Sequence, residues 1–92
     1  MSVTIRVPGS LSYLIQNNKI IECEVSGELG RCIDSLNIQF PGFKEGICDA
    51  ENNLLDHINI YINGENVRYM QGVSTILKDG DNINIIPAAA AG

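Results

Sequence analysis

Tryptophan is absent, histidine occurs once, and the 92 residues include only two Phe and three Tyr. Basic residues are scarce as well, six Lys+Arg against eleven Asp+Glu, for a formal charge of -5. That balance argues against nucleic acid, whose phosphates require clustered cations. It suits a soluble protein docking on a basic partner, and equally one that uses charge for solubility alone. The single histidine, His57, has no second His or Cys close by, so neither a metal site nor a catalytic triad is expected. Cys23, Cys32 and Cys48 are odd in number and widely spaced, unlike zinc or iron–sulfur ligands. They read as small buried apolar residues, with Cys48 the least constrained because its surroundings are irregular. No run approaches the ~20 apolar residues of a membrane span. Met1-Ser2-Val3-Thr4 lacks the basic-then-apolar pattern of a leader, so a cytoplasmic location is expected. Gly27 and Gly30 do not make a phosphate loop, and no acidic pair stands in a catalytic context; the chain is not expected to be an enzyme.

What is present is aliphatic and periodic, enough for one domain with a modest core. Val3, Ile5 and Val7 alternate with polar residues, as a half-buried strand requires, and Pro8-Gly9-Ser10 ends that run. Residues 11–18 make a loose connection to a second alternating stretch with Ile21, Cys23 and Val25 on one face. The first two strands should pair antiparallel. Leu29, Cys32, Ile33 and Leu36 fall at i, i+3, i+4 and i+7, one apolar stripe on a helix. Ser26 can cap it, Glu28 complements its dipole, Pro41 stops it and Phe40 closes the core. Residues 41–57 are rich in loop signals, with Ile47-Cys48 and Leu54-Leu55 as a possible short strand pair.

Ile58, Ile60 and Ile62 then alternate with Asn59 and Tyr61. Asn63-Gly64 suits a two-residue hairpin turn, with Val67 and Tyr69 expected on the return strand. Residues 73–77 are expected to form a helical turn that plugs the core with Val73, Ile76 and Leu77. Asp79-Gly80-Asp81 turns into a last strand carrying Ile83, Ile85 and Ile86, expected to be central and covered on both faces. The order β-β-α-β-β-β predicts an α+β, β-grasp (ubiquitin-like) fold. A mixed sheet of four to five strands would lie over one main helix, with a later strand parallel to one of the first pair. Residues 1–86 form the expected domain and 87–92 a flexible C-terminal tail.

That tail, Pro87-Ala88-Ala89-Ala90-Ala91-Gly92, carries almost no side-chain bulk. Extended, it reaches about 20 Å, enough to thread a narrow channel while the body stays outside. Pro87 cannot donate a ladder hydrogen bond and so should release the tail from the sheet. Composition alone equally suits an unstructured alanine-rich end.

Ile60-Tyr61-Ile62-Asn63-Gly64-Glu65-Asn66-Val67-Arg68, and Lys78-Asp79-Gly80-Asp81 through Ile86-Pro87, resemble the ubiquitin-like sulfur carriers of thiamine and molybdopterin synthesis. Within that family the ending is most similar to the carriers of bacterial cysteine biosynthesis. The resemblance spans essentially the whole chain and implies a mechanism. An adenylyltransferase of the ubiquitin-activating type would use Mg-ATP to adenylate the Gly92 carboxylate. A sulfur donor would convert it to a thiocarboxylate, and a cysteine synthase-like enzyme would take the sulfur. The carrier itself would bind no cofactor. Family members usually end Gly-Gly, whereas here Ala91 precedes Gly92. Tolerance by the partner enzymes, an inactive form and a binding-only role all remain open, the first being favoured.

Two other functions compete with sulfur carriage: conjugation of Gly92 to a lysine of another protein, and a β-grasp interaction module without terminal chemistry. For docking, the sheet face near the last strands is the candidate surface, with Tyr61, Arg68 and Tyr69 as contact residues. The same residues could instead pack on neighbouring strands.

Overall fold

The computed structural model describes residues 2–24 and 27–87. Five strands form one mixed sheet: β1 (Ser2–Arg6), β2 (Ile20–Glu24), β3 (Ile58–Ile62), β4 (Glu65–Asn66) and β5 (Asn82–Pro87). Their spatial order is β2-β1-β5-β3-β4, so the last strand in sequence is the central one. β1 pairs antiparallel with β2 and parallel with β5, while β3 pairs antiparallel with both β4 and β5. The main helix, α1 (Leu29–Gln39), presents Leu29, Cys32, Ile33 and Leu36 to the core, the stripe its spacing dictates. Val3, Ile5, Ile58, Ile60, Ile62, Ile83 and Ile85 supply the sheet's share of that core. This is the expected β-grasp architecture. No helix among the described residues is long and apolar enough to cross a membrane.

Several local expectations are corrected. The return strand of the hairpin is only Glu65–Asn66; Val67–Tyr69 turn into a 3-10 helix. The cause is Asn66, whose side-chain oxygen accepts the Arg68 backbone N–H at 2.9 Å and caps that turn. The Asn63-Gly64 turn is as expected, both residues having positive φ (52° and 89°). Ser26 lies outside the described residues; Glu28 holds the N-cap position without a side-chain bond. The first helical N–H, of Leu29, instead donates to the Thr75 carbonyl at 2.9 Å.

Thr75 belongs to the segment expected to be a helical plug. Only Gly72–Ser74 are helical, and Ile76 bridges Glu28 in extended conformation. Extended backbone alternates, so Thr75 and Leu77 point inward and Ile76 is 60% exposed. Two further short helices lie in the connections, where a loose link after β1 and a short strand pair after α1 are expected. Gly9–Ile15 form a 3-10 helix burying Leu11 and Ile15, and α2 (Phe43–Ile47) buries Phe43 and Ile47. The expected short pair near residue 48 exists as a single antiparallel bridge, Cys48 to Leu54. β5 is central, yet only one of its faces is covered: Ile83 and Ile85 are buried while Ile86 is 44% exposed.

Candidate functional site: the end of the central strand and the open sheet face

β5 is anchored at its start by the Asp79-Gly80-Asp81 turn. Asp79 Oδ1 accepts the Ser2 N–H and the Gly80 N–H donates to the Ser2 carbonyl, both at 2.8 Å. Gly80 has φ +85°, a conformation that a side chain resists. Asp81 is buried, and its carboxylate accepts from Asn63 Nδ2 at 2.9 Å and from the Lys78 N–H at 2.7 Å. Asn63 in turn exchanges bonds with Asn82, donating its N–H to the Asn82 carbonyl (2.8 Å) and accepting the Asn82 N–H on Oδ1 (3.0 Å). One short turn therefore ties the central strand to β1 and to the β3–β4 hairpin.

At its other end β5 finishes with Pro87 opposite Ile58. Pro87 is half-buried and still within the strand. Ala88, Ala89, Ala90, Ala91 and Gly92, the residues expected to present and carry the reactive carboxylate, lie outside the described residues. What surrounds the exit is described. Arg68 Nη2 donates to the carbonyls of Leu55 (2.8 Å) and Ile58 (2.7 Å), and its Nε donates to Asn59 Oδ1 (3.2 Å). The guanidinium is thus committed to fastening the 67–69 turn to the start of β3. Tyr61 is half-buried on the open face of β3, in register with Asn66 and Asn84. Tyr69 is 84% exposed on the turn after β4. Arg68 and Asn66 both donate to Asn59 Oδ1, whereas no side-chain bond among the described residues joins Tyr61 or Tyr69 to them.

Arg6, Ile20 and Ile86, none of them among the residues that sequence marks for docking, are also exposed on this face. The signal was the alternation of β1, β2 and β5, which puts them on the face away from α1. Their adjacency required the register.

The cysteines offer no competing sulfur site. All three are free and buried. Burial, with the Cys23 thiol beside it, pushes Cys32 up from its ordinary 9.0 to about 12. Burial also raises Cys48. Thiols held this way carry little thiolate near neutral pH. A cleft of about 190 Å³ lies on the helix side, lined by Glu28, Arg31, Asp34, Lys44, Cys48 and Asn52 among others. None of its lining residues comes from β5 or the open sheet face.

Comparison with known proteins agrees with the architecture. Residues 5–92 match the model of the ThiS family. The chain is 35% identical over 95 residues to the sulfur carrier protein CysO of Mycobacterium tuberculosis, covering 100% of both chains. It is 30% identical over 93 residues to a putative sulfur carrier protein of Archaeoglobus fulgidus, again at 100% of both. A chain in the crystal structure of the Amycolatopsis orientalis BexX/CysO complex superposes with a TM-score of 0.88 at 32% identity, covering 98% of this chain and 99% of that one. These relatives are carriers rather than catalysts, in keeping with the expectation that the chain is not an enzyme. A family match that begins in the first strand and runs through the tail, on a sheet whose last strand is central, means that this chain belongs to the ThiS family.

Proposed function

We propose that the chain is a sulfur carrier whose Gly92 carboxylate is activated by adenylation and converted to a thiocarboxylate, for delivery to a biosynthetic enzyme of the cysteine synthase type. The observation that carries this reading is the central position of β5. Its two neighbours and the Asp79–Asp81 turn hold the strand rigidly, so residues 88–92 continue from a fixed origin at Pro87. A tail with methyl or hydrogen side chains can then enter a channel too narrow for a folded domain. The full-length likeness to sulfur carriers supports the same reading.

The chemistry explains why a carrier needs a partner. A carboxylate resists substitution because oxide is a poor leaving group. Attack of one Gly92 oxygen on the α-phosphorus of ATP forms an acyl adenylate and expels pyrophosphate. A sulfide sulfur then attacks the acyl carbon and AMP leaves, giving the thiocarboxylate. Mg²⁺ and ATP belong to the adenylating partner, and this chain contributes the acyl group and the surface that positions it. The thiocarboxylate sulfur is the nucleophile that the accepting enzyme uses. The proposed setting is the cytoplasm, where sulfide, ATP and both enzymes would meet.

Intact-mass spectrometry tests the proposal. Incubation with an activating enzyme of the ubiquitin-activating type, Mg-ATP and sulfide should raise the mass by the difference between sulfur and oxygen, localised to Gly92. An unchanged mass, with the activating enzyme shown to turn over its own carrier, would sink it. Recovery of Ala91-Gly92 on substrate lysines without sulfur loading would point to protein conjugation instead.

A further inference from the structure

Two of the three buried thiols meet. Cys23 lies on the core-facing side of β2, paired with Val3 of β1, and Cys32 lies on the buried stripe of α1. The Cys32 thiol is hydrogen-bonded to that of Cys23, whose own S–H is directed at the Glu24 carbonyl, 3.7 Å away. Cys48 belongs to another part of the core, where it follows α2 and bridges Leu54. A cysteine buried singly behaves as a small apolar residue. Two in thiol–thiol contact, one from the sheet and one from the helix, have a further chemistry open to them. β2 is also an edge strand, with β1 on one side and no strand on the other. A strand paired on one side opens more readily than a central one. Cys23, 7% exposed, is therefore the sulfur that a reagent reaches first, and Cys32, 1% exposed, is the one behind it.

We propose that Cys23 and Cys32 form a modification site, an oxidisable dithiol that closes to an intramolecular disulfide and fastens β2 to α1. The oxidant is a small-molecule disulfide. The Cys23 thiolate attacks one of its sulfurs and expels the other as a thiolate. Cys32, once deprotonated, attacks Cys23 Sγ of the mixed disulfide and expels the second thiolate. The two protons lost by the protein pass through solvent to the two thiols released, so the dithiol is oxidised and the small disulfide reduced. Burial holds Cys32 above its ordinary range, which makes the exchange slow near neutral pH and quicker as pH rises. Contact already made in the folded state lets the bond close without rearranging strand or helix, so the crosslink stabilises the fold by restricting the unfolded chain. The site is independent of the tail, since neither cysteine lies on β5.

The experiment incubates the reduced full chain with oxidised glutathione at about pH 9, then alkylates the remaining thiols in urea. Intact mass, tryptic mapping and thermal unfolding read the product. Arg31 separates Cys23 from Cys32, and Lys44 separates both from Cys48, so trypsin leaves each cysteine on its own peptide. The expected product has lost two hydrogens, takes up an alkyl group only at Cys48, and joins peptides 20–31 and 32–44. Its thermal midpoint should lie roughly 5–15 °C above that of the reduced chain, and dithiothreitol should restore the reduced value. Cys48→Ala should crosslink as wild type does, whereas Cys23→Ser, checked for the wild-type fold by circular dichroism, should not. Alkylation of all three cysteines after oxidation, a lasting glutathione adduct, a crosslink to Cys48 or a disulfide between two chains would each overturn the inference. So would a 23–32 crosslink that lowers the midpoint, because the bond would then form only from a distorted chain.

Discussion

Arg68 donates to the carbonyl of Ile58 at 2.7 Å, and Ile58 is the residue that faces Pro87 across the β3–β5 ladder. The cation that sequence marks as a docking residue, exposed as it is, also staples a 3-10 turn to the strand beside the tail exit. Arg68→Ala removes bonds to two carbonyls and to Asn59. Each charge-assisted bond contributes up to about 1.5–3 kcal/mol, less at an exposed site, so a loss of about 1–2 kcal/mol is expected. Urea denaturation measures it, and amide exchange should quicken around Leu55 and Ile58. Arg68→Lys should rescue only partly, since one ammonium cannot match the forked donor set.

Asp81→Ala should destabilise more. It removes the acceptor of two part-buried bonds, from the Asn63 amide and the Lys78 N–H, at the buried end of the turn that starts the central strand. A cost of about 2–4 kcal/mol is expected in equilibrium unfolding. If the loss is under about 0.5 kcal/mol, the ordinary range for surface changes, the turn is not the anchor described here.

The hairpin provides a backbone test. Gly64 has φ +89° with open space around its missing Cβ, so Gly64→Ala meets conformational strain but no clash. The expected cost is about 1–2 kcal/mol, read from the thermal midpoint. Gly64→Asn should cost less, because asparagine tolerates left-handed backbone.

Cys32 makes stability fall at alkaline pH. Its folded-state pKa of about 12 exceeds the ordinary 9.0, so between those values the unfolded chain has lost a proton that the folded chain keeps. Stability is then fully present below about pH 9 and declines as pH rises from there toward about 12. Cys32→Ala should flatten this part of the pH–stability curve relative to wild type, whatever its packing cost. The same burial means that alkylation of all three cysteines near neutral pH should wait on unfolding, as mass spectrometry in and out of urea can show.

The penultimate residue bears on sulfur loading. If the partner's channel was shaped around two glycines, Ala91→Gly should load faster, as alanine resists part of the backbone space open to glycine. Equal rates would show a channel with room for a methyl group. Deleting Gly92 should abolish loading in either case.

The sequence by itself determined whatever rests on short-range periodicity. Alternation fixed the faces of β1, β2 and β3, the 3–4 spacing fixed the buried stripe of α1, and Asn63-Gly64 fixed its turn. Each depends on backbone geometry within a few residues. Motif order carried the fold, and with it the family. Tertiary structure decided what depends on distant partners. Val67–Tyr69 left the sheet because Asn66 caps a turn, and Ile76 turned outward because its segment runs extended beside Glu28. Arg68 ceased to be a free cation because Leu55 and Ile58 present carbonyls to it. Arg6, Ile20 and Ile86 became one surface only when the parallel β1–β5 pairing set the register of strands nearly eighty residues apart in the chain. Side-chain pattern can be read locally, but adjacency across a sheet is a property of pairing, and no local pattern encodes it.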